Sequence, residues 1–500
     1  MEGEPLQETV SQPETMVYRN HYSYVIQNLV SLILTLGLIL LINYFSNRDE
    51  GFVLVGWSYA IIILVVGLMF VYIRMWILTT YTFGPTELYV FRNTYFKKET
   101  KIQYSKMASV NVRRTIVNRI FGSTTLLFNV NSSVNSNNAE ATLTLKSDEA
   151  DRLREIISSR IFNKEMEVKV EQQMDTMVEI TNFDVILHGI FGQPTLSSLV
   201  GLASLAYSIF AAVTDSNGIL FGLFLFFLSV VLPSVRTVLR YYNYRIYRVE
   251  DTITVESGLI STYRSSFNIN KVNCVRIREP LLARIMGKSL LEAEVVGLAD
   301  SNGLPLLCPL KGRATVLGLA ATLVPEFLFD TTNHKQPRQA LVPTVAYKAI
   351  FAAIIAAATA AMFLYWSFRY AEETGDLGTL VIYILAAFFG VVLPILLILH
   401  GVLAQGNREF EMGDETFMFI TGAYDRQRDF IRYDKVQICS VSAGPIQRHY
   451  KVGTARVSMM SAMGAKSITS GIFNKEELEL IGKEVMARIR DGRYDYRRYL

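Results

Sequence analysis

Three residue positions recur along this 500-residue chain at constant spacing. In the middle copy, Lys271 lies 13 residues after Gly258 and 13 residues before Arg284. Successive lysines of the series are 165 and 164 residues apart. A repeat of that length in a chain of this size predicts three copies of one structural unit. The same spacings occur in two further triplets, which are Asn93, Lys106 and Arg119 upstream and Gly422, Lys435 and Arg448 downstream.

The chain is apolar enough to be a membrane protein. Hydrophobic residues make up 51% of the sequence and charged residues only 19%, a balance that ordinary soluble domains do not show. A bilayer-spanning helix needs about 20 apolar residues, and each copy opens with two such runs joined by a short polar link. The six predicted spans, which form three helical hairpins, are residues 25–44, 53–73, 196–213, 219–239, 349–368 and 380–399.

After each hairpin the sequence pattern changes to short strand-like segments around turns, and then to one amphipathic helix. This order predicts an integral membrane, multi-domain fold in which each hairpin is followed by an α+β module. The predicted domains are a disordered acidic tail (1–20), hairpin 1 (21–77), module 1 (78–165), hairpin 2 (180–241), module 2 (242–330), hairpin 3 (340–403), module 3 (404–490) and a basic aromatic tail (491–500).

The distribution of positive charge predicts the orientation in the membrane. The links within the hairpins hold almost no Lys or Arg, with Arg48 in the first link and Arg369 in the third. The other flanks are rich in basic residues, for example Arg240, Arg245 and Arg248 after the fourth span. Because Lys and Arg accumulate on the cytoplasmic side, we expect a multi-pass plasma-membrane protein with both termini and all three modules in the cytoplasm.

The sequence shows no signature of an enzyme or of a bound cofactor. Its five scattered histidines form no HExxH pair and no Cys/His spacing for zinc, and Walker and GxSxG motifs are absent. Cys274, Cys308 and Cys439 lack CxxC spacing, so we expect reduced thiols outside any metal site. We therefore predict no catalytic residue, no cofactor and no metal ion.

The first position of each triplet is predicted to be a hairpin turn. Gly258, Gly422 and Asn93 each lie between two strand-like segments, and Gly and Asn are the residues that best tolerate a positive φ. A second glycine follows the arginine of each copy, but the distance is 3 residues in two copies and 5 in the third, which predicts a two-residue insertion there. These later glycines are Gly122, Gly287 and Gly453.

The lysine and the arginine of each copy allow two interpretations. As a basic patch near the inner leaflet, each side chain would add about 1 kcal/mol of attraction to anionic lipid. As structural residues, the lysines would be solvated and the arginines would tie a loop to backbone carbonyl groups. The candidate headgroup or partner contacts are Lys106, Arg119, Lys271, Arg284, Lys435 and Arg448.

Together these elements resemble the second bacterial pleckstrin-homology-like (PH-like) domain family, in the form of its YdbT-like membrane proteins with three such domains. The resemblance rests on the hairpins, the turn glycine, a K-[VM]-x-x-Φ segment, the late Arg…Gly pair, and a lead-in at residues 180–190. It implies that each module is a bent antiparallel β-barrel closed by a C-terminal helix. It also implies a non-enzymatic role in the cell envelope or in stress tolerance, and a shorter YdbS-like membrane partner.

Two functions remain open at this point. The first is a non-catalytic membrane scaffold whose cytoplasmic modules bind one another, a partner protein or the inner leaflet. The second is a transporter or export component that moves a lipid or peptide through the six helices. The span interiors lack Asp, Glu, Lys and Arg, and small residues such as Ala352, Ala356 and Ala360 suit close helix packing, which favours the scaffold. The expected partners are membrane lipids, a YdbS-like protein or a second copy of the chain, and no nucleic acid.

Overall fold

The computed structural model describes most of the chain, including the three regions in which the modules were predicted. The predicted links within the hairpins, and most of both predicted tails, lie outside the described residues. The described residues are 15–46, 56–94, 97–130, 141–162, 180–213, 219–296, 305–330, 332, 334–369, 376–461 and 464–494.

The described elements follow the predicted order of helices and then strands, three times over. The strands are β1 (Met16–Tyr18), β2 (Thr79–Phe83), β3 (Glu87–Arg92), β4 (Lys98–Gln103), β5 (Met107–Arg114), β6 (Ser123–Val130), β7 (Ala141–Lys146), β8 (Arg245–Val249), β9 (Thr252–Ser257), β10 (Thr262–Asn268), β11 (Val272–Glu279), β12 (Lys288–Val295), β13 (Leu306–Gly312), β14 (Glu409–Met412), β15 (Thr416–Thr421), β16 (Arg426–Arg432), β17 (Val436–Ser442), β18 (Val452–Ser461) and β19 (Gly464–Asn474). The helices are α1 (Ser23–Ser46), α2 (Gly56–Ile77), α3 (Ile116–Ile120), α4 (Ser147–Phe162), α5 (Asn182–Phe191), α6 (Thr195–Val213), α7 (Ile219–Phe226), α8 (Leu232–Tyr241), α9 (Leu281–Ile285), α10 (Arg313–Leu323), α11 (Leu341–Arg369), α12 (Asp376–Ala387), α13 (Leu393–Asn407), α14 (Pro445–His449) and α15 (Lys475–Arg490).

The chain divides into two compact units, and the division falls inside the predicted second module. The strands β8 to β10 of that module lie in the first unit, and the strands β11 to β13 lie in the second. The first unit is built from residues 1–176, 239–268 and 297–301, and the second from residues 177–238, 269–296 and 302–500.

The first unit contains two antiparallel sheets around one apolar core. One sheet has the order β1-β2-β3-β4, and the other has the order β7-β6-β5-β10-β9-β8. Phe83, Leu126 and Phe128 are fully buried in the core. The helix α4 closes it with Leu153 and Ile157, which share one helical face because they are four residues apart. Strands followed by a closing helix are the order that the sequence predicts for module 1.

The second unit repeats this construction. One sheet has the order β13-β12-β11-β16-β15-β14, and a three-stranded sheet has the order β17-β18-β19. Phe417, Phe419 and Phe473 are fully buried, and α15 packs Leu478 and Ile481 against the same core. The acidic first turn and basic last turn of α15 complement the helix dipole.

Four of the described helices are long and apolar enough to cross a membrane. In the first predicted hairpin, α1 and α2 are helical, but the apolar helix found within α2 is shorter, at Ile62–Ile77. The structure therefore supports a membrane protein, and the six-span count stays a prediction. The four helices are Thr195–Ala212, Ile219–Tyr241, Arg338–Arg369 and Thr379–Asn407.

Two of these helices each contain a π-helical turn that ends two residues before a proline. The turns are Phe227–Val231 and Phe388–Val392, and Pro233 and Pro394 follow them. Proline has no backbone N–H and clashes with the carbonyl one turn earlier. Both helices widen locally to an i→i+5 pattern in the turn before the proline, as a single π-turn within an α-helix.

The structure departs from the predicted elements at the N-terminus, and it defines the structure of the lead-in at residues 180–190. Met16–Tyr18, which the sequence analysis assigns to a disordered tail, form strand β1, because Val17 pairs with Thr82 and Tyr18 packs edge-on against Phe83. The lead-in before the third predicted span is a helix, α5. Thr181 and Asp184 form a reciprocal capping box at its start, and this explains the pattern of the lead-in.

Candidate interaction sites at the strand joints

Each of the two six-stranded sheets joins strands from consecutive repeats. We call the pairing of β5 with β10 the first joint and the pairing of β11 with β16 the second joint. In the first joint Arg264 lies opposite Val112, and in the second Arg428 lies opposite Ile277. The repeat spacing relates these two pairs residue for residue, so both joints have the same register. A shared register shows that the joint is itself part of the repeat.

One polar side-chain pair bridges each joint at the same repeat position. In the first joint Ser265 donates to the Asn111 carboxamide oxygen at 2.8 Å. In the second joint Arg276 donates to Asp429 at 2.6 Å. A one-residue slip would move each pair to opposite faces of the sheet, because side chains alternate along a strand. The pairs therefore help to specify the register.

The pair in the second joint belongs to a buried network of charges. Glu294 on β12 lies 3.4 Å from Arg276 and also bonds to Lys466 on β19. Burial alone would lower the pKa of Arg276, but the carboxylates of Asp429 and Glu294 outweigh it and raise that pKa. Buried charges are tolerated only when they are paired, so this network couples β11 and β12 to β16 and β19.

The arginine of each triplet lies at the fourth position of a five-residue helix. In the first joint Arg119 donates to the carbonyl of Leu259. Leu259 lies in the same turn as Gly258, the first residue of the second triplet. In the second joint Arg284 donates to Asn407, whose amide in turn donates to the carbonyl of Ala423. Leu259 and Ala423 occupy the same repeat position. The arginines therefore clamp the turn of the next repeat.

The third arginine has no such turn among its described contacts. Arg448 is exposed and donates to the carbonyl of Ala443 in its own loop at 3.0 Å. Arg119 and Arg448 donate to loop carbonyl groups, and Arg284 donates to Asn407, the last residue of α13. Contacts of all three with the protein itself favour the structural interpretation. Their role as headgroup contacts stays a prediction.

The lysine of each triplet is the last residue of a 3-10 turn. The strand that follows this turn is β5, β11 or β17. Lys106 is exposed, whereas Lys271 and Lys435 are half-buried. Burial, together with the charge of Lys435, lowers the pKa of Lys271. Lys435 lies 3.2 Å from Asp434. A half-buried lysine reaches a headgroup less easily than an exposed one, so Lys106 is the lysine best placed for a surface role.

Two of the three predicted turn positions require glycine. Gly258 has φ +117° and Gly422 has φ +94°, and a Cβ atom there would lie 1.9 Å and 1.7 Å from the carbonyl oxygens of Ser261 and Asp425. Asn93 is not among the described residues with positive φ. Asn93 therefore adopts a different backbone conformation from Gly258 and Gly422.

The insertion predicted in the third repeat is wrong. Three residues after each arginine the backbone adopts a left-handed conformation, with φ values of +60° at Gly122, +66° at Gly287 and +56° at Lys451. Lys451, and not Gly453, is thus the counterpart of the other two. Glycine spacing misled the sequence analysis because a lysine occupies the left-handed position.

A cavity of about 380 Å³ opens at the first joint. It is lined by β5, α4 and the segment that runs from Asn243, two residues after the end of α8, to Arg264. Two of its arginines are paired at 2.9 Å, Arg114 with Asp151 and Arg264 with Glu256. The lining has four arginines and two carboxylates, which leaves an excess of positive charge suited to an anionic group. The four arginines are Arg114, Arg154, Arg245 and Arg264.

The charges differ at the second joint, where Arg428, the counterpart of Arg264, interacts with both arginines and glutamates. Glutamates stand at the positions of Arg114 and Arg245, namely Glu279 and Glu409. Arg313 lies 2.8 Å from Glu279, and Arg426 lies 3.0 Å from Glu409. The sequence analysis named Arg245 only as part of a basic flank, because neither position belongs to the recurring triplet.

A model of the family described as "Bacterial PH domain" matches residues 31–161, 199–314 and 316–496. The chain belongs to the bacterial PH domain family. It is similar to the "UPF0699 transmembrane protein YdbT" of Bacillus subtilis (strain 168), with 18% identity over 94% of this chain and 96% of that protein. No solved structure matches the chain. These findings confirm the predicted YdbT-like membrane protein with bacterial PH domains.

The thiols of this bacterial PH-domain protein are poorly reactive. Cys274 and Cys308 are buried and Cys439 is half-buried. Burial raises the pKa of Cys308 to about 12, and burial together with the charge of Asp429 raises the pKa of Cys274. Within the described part of the chain, no group of three or more His, Cys, Asp or Glu side chains could hold a metal ion.

Proposed function

We propose that this protein is a non-catalytic membrane scaffold whose PH-like modules bind one another by strand pairing. The observation that carries the proposal is that the joint occurs twice in the same register. Ser265 hydrogen bonds to Asn111 in the first joint, and Arg276 hydrogen bonds to Asp429 in the second. Pairing along a sheet edge is a general mode of recognition, in which backbone hydrogen bonds supply affinity and side chains supply specificity. We place this role in the cell envelope, in line with the similarity to a transmembrane protein.

The proposal includes six spans in three hairpins, with both termini and all modules in the cytoplasm. The scarcity of Lys and Arg in the three links supports this topology. In α6, Ser204 and Ser208 donate to carbonyl groups of their own helix. Gly222 approaches both serines closely, since a Cβ atom there would lie 2.2 Å from the hydroxyl of Ser208. Close packing of this kind supports a scaffold over a transport path.

We propose a second role, recognition of an anionic headgroup, for the cavity at the first joint. Its excess of arginines supports this role, and so does its position next to Asn243, just after a candidate membrane helix ends at Tyr241. Arg240 also lies 5.8 Å from the ring of Tyr263, which lines the cavity. Arginine guanidinium groups bind phosphate in paired hydrogen bonds, whereas the glutamates of the second joint would repel it.

A reconstitution experiment separates the scaffold from the export alternative. The full-length protein is placed in vesicles that contain a fluorescent phospholipid, and dithionite quenching reports movement of that lipid between leaflets. A scaffold predicts the same rate as in protein-free vesicles. Protein-dependent movement would contradict the scaffold and support an export component. A second experiment uses Asp429→Asn, which is expected to loosen the second joint. The proteins that cross-link to the wild type in native membranes are compared with those that cross-link to this variant. The scaffold predicts that the variant loses some of them.

A further inference from the structure

The strand β17 has an outer edge that the repeat pattern leaves open. β5, β11 and β17 each begin directly after the lysine-ending turn of their repeat. β5 and β11 pair on one side with the strand that follows the turn position of the next repeat. Among the described strands, β17 pairs with β18 alone. The third repeat thus presents an edge of the type that is filled in both other repeats.

The first repeat presents the complementary edge. β4 is the counterpart of β10 and β16, since each ends directly before the lysine-ending turn. β10 and β16 each have two neighbours, whereas β4 pairs only with β3 among the strands that the structure describes. One chain therefore carries both halves of a third joint.

An exposed isoleucine marks the open edge. Cys274 on β11 is fully buried in the core of the second unit, where Ile431 of β16 lies opposite it. Its counterpart on β17 is Ile438, which is 62% exposed. The counterpart of Ile431 on β4 is Ile102, which lies in the core of the first unit. An exposed apolar side chain on an open strand edge is a template for pairing.

We propose that β17 pairs with β4 of a second copy of this chain, so that copies associate head to tail. The proposal rests on the proposed function, because it extends the joint from within the chain to between chains. The repeat spacing sets the register, in which Ser440 lies opposite Thr100 at the position of Arg276 with Asp429. Two hydroxyl groups then replace the charged pair of the second joint. Because the two edges differ, the contact is heterologous and builds a ring or an open row.

Arg448 gains a role in this third joint. Arg119 donates to the carbonyl of Leu259 in the turn of the next repeat. The counterpart of Leu259 in the first repeat is Thr94. In the proposed assembly Arg448 leaves the carbonyl of Ala443, in its own loop, and donates to the carbonyl of Thr94 of the second copy. Arg448 would then clamp the turn of the second copy in the way that Arg119 clamps the turn of the next repeat.

Disulfide trapping between differently tagged chains tests the proposal in native membranes. One chain carries Ser442→Cys and the other Lys98→Cys, and a second set carries Val441→Cys and Glu99→Cys. Both chains also carry Cys439→Ala. Adjacent pairs alternate between hydrogen-bonded and non-hydrogen-bonded positions, so one set has the shorter Cα separation. The expected result is a reducible dimer that contains both tags in at least one set. A pair shifted by two residues, Ser440→Cys with Lys98→Cys, is expected to give at least tenfold less of the dimer that contains both tags.

The control is the equivalent pair within one chain, Arg278→Cys with Gln427→Cys, at the second joint. If this control forms and neither mixed dimer does, the head-to-tail pairing is overturned, and Lys98 and Lys101 act instead as charges that protect an edge. If the control itself fails, the proposed function fails with it. A disulfide that forms only when both cysteines are on one chain would also overturn the proposal. Ile438→Lys, at an exposed site, is expected to lower the yield of the mixed dimer at least fivefold.

Discussion

Arg276 and Asp429, which lie 153 residues apart in sequence, hydrogen bond at 2.6 Å across the second joint. Both side chains are almost completely excluded from solvent. The same repeat position in the first joint holds Asn111 and Ser265, which also hydrogen bond. The two joints thus conserve a polar contact while its chemistry changes from neutral to charged. This pattern is expected if the contact specifies which edges pair and in which register.

Asp429→Asn is expected to destabilise the second joint strongly. It leaves the buried guanidinium of Arg276 with Glu294 as its remaining carboxylate, at 3.4 Å, and breaking a buried ion pair from one side costs about 3–5 kcal/mol. Thermal unfolding of the purified protein measures the effect. Glu411→Gln, on β14 two strands away from β16, serves as the control. A change of less than about 1 kcal/mol for Asp429→Asn would show that the network does not stabilise this joint.

Gly422→Ala is expected to destabilise the protein by at least about 2–3 kcal/mol. Its φ of +94° disfavours any side chain, and the new Cβ atom would lie 1.7 Å from the carbonyl oxygen of Asp425. Gly482→Ala, within α15, is the matched control, because no atom lies within 4 Å of its Cβ position. That control is expected to be neutral or to stabilise by up to about 1 kcal/mol. Equal stability of the two variants in a thermal melt would refute the requirement for glycine.

The stabilising effect of Asp184 is expected to disappear in acid. Its burial would raise the pKa of this carboxyl, but hydrogen bonds from Lys311 and Thr181 outweigh burial and lower the pKa below its ordinary value of 3.8. A lowered pKa in the folded state means that the stabilisation is complete above pH 3.8 and is lost as pH falls through the folded value.

Asp184→Asn is therefore expected to unfold more easily than wild type at pH 7, by about 1–3 kcal/mol. The two proteins should converge as the pH falls below about 4. Melting temperatures measured across this range check the sign. A difference that stays constant between pH 7 and pH 3 would show that the charge of Asp184 contributes nothing.

Arg245→Glu is expected to weaken binding of anionic lipid at the cavity of the first joint. Arg245 is exposed but lies opposite Glu256 in the β8–β9 pairing, so the melting temperature of the lipid-free variant is measured as the baseline. Reversal of one charge removes about 1–2 kcal/mol of attraction, or roughly 5–30-fold in affinity. Thermal stabilisation of the purified protein by phosphatidylglycerol measures the loss, and glycerol phosphate in place of the lipid shows whether the free anion suffices. Arg490→Glu, an exposed site remote in sequence, is the control, and equal losses in both variants would exclude a specific site.

Much of the fold is predictable from the sequence because its signals are local. The apolar runs predict the four helices found, and the alternating segments predict strands followed by a closing helix. Tyr104, Ile269 and Tyr433 show why the triplets recur, since each begins the 3-10 turn that ends in the triplet lysine and is buried. Periodicity and turn chemistry suffice for features of this kind.

The joints are not predictable from these signals, because they are long-range. A strand that is buried on both edges differs little in pattern from one that is buried on a single edge, as β11 and β17 show. The clamp formed by Arg119 depends on a carbonyl 140 residues away, and no spacing rule identifies a backbone acceptor. The left-handed Lys451 was missed for a different reason, since glycine is only the commonest residue at such a turn.

The account depends on the claim that consecutive repeats pair edge to edge in one register. Disulfide trapping within the full-length protein in its native membrane tests this directly. The pairs Arg113→Cys with Tyr263→Cys and Arg278→Cys with Gln427→Cys lie opposite each other in the two joints. We predict near-complete oxidation of each pair, and little for Arg113→Cys with Ser265→Cys, which is shifted by two residues. Equal trapping of the matched and shifted pairs, or none at either joint, would contradict the claim.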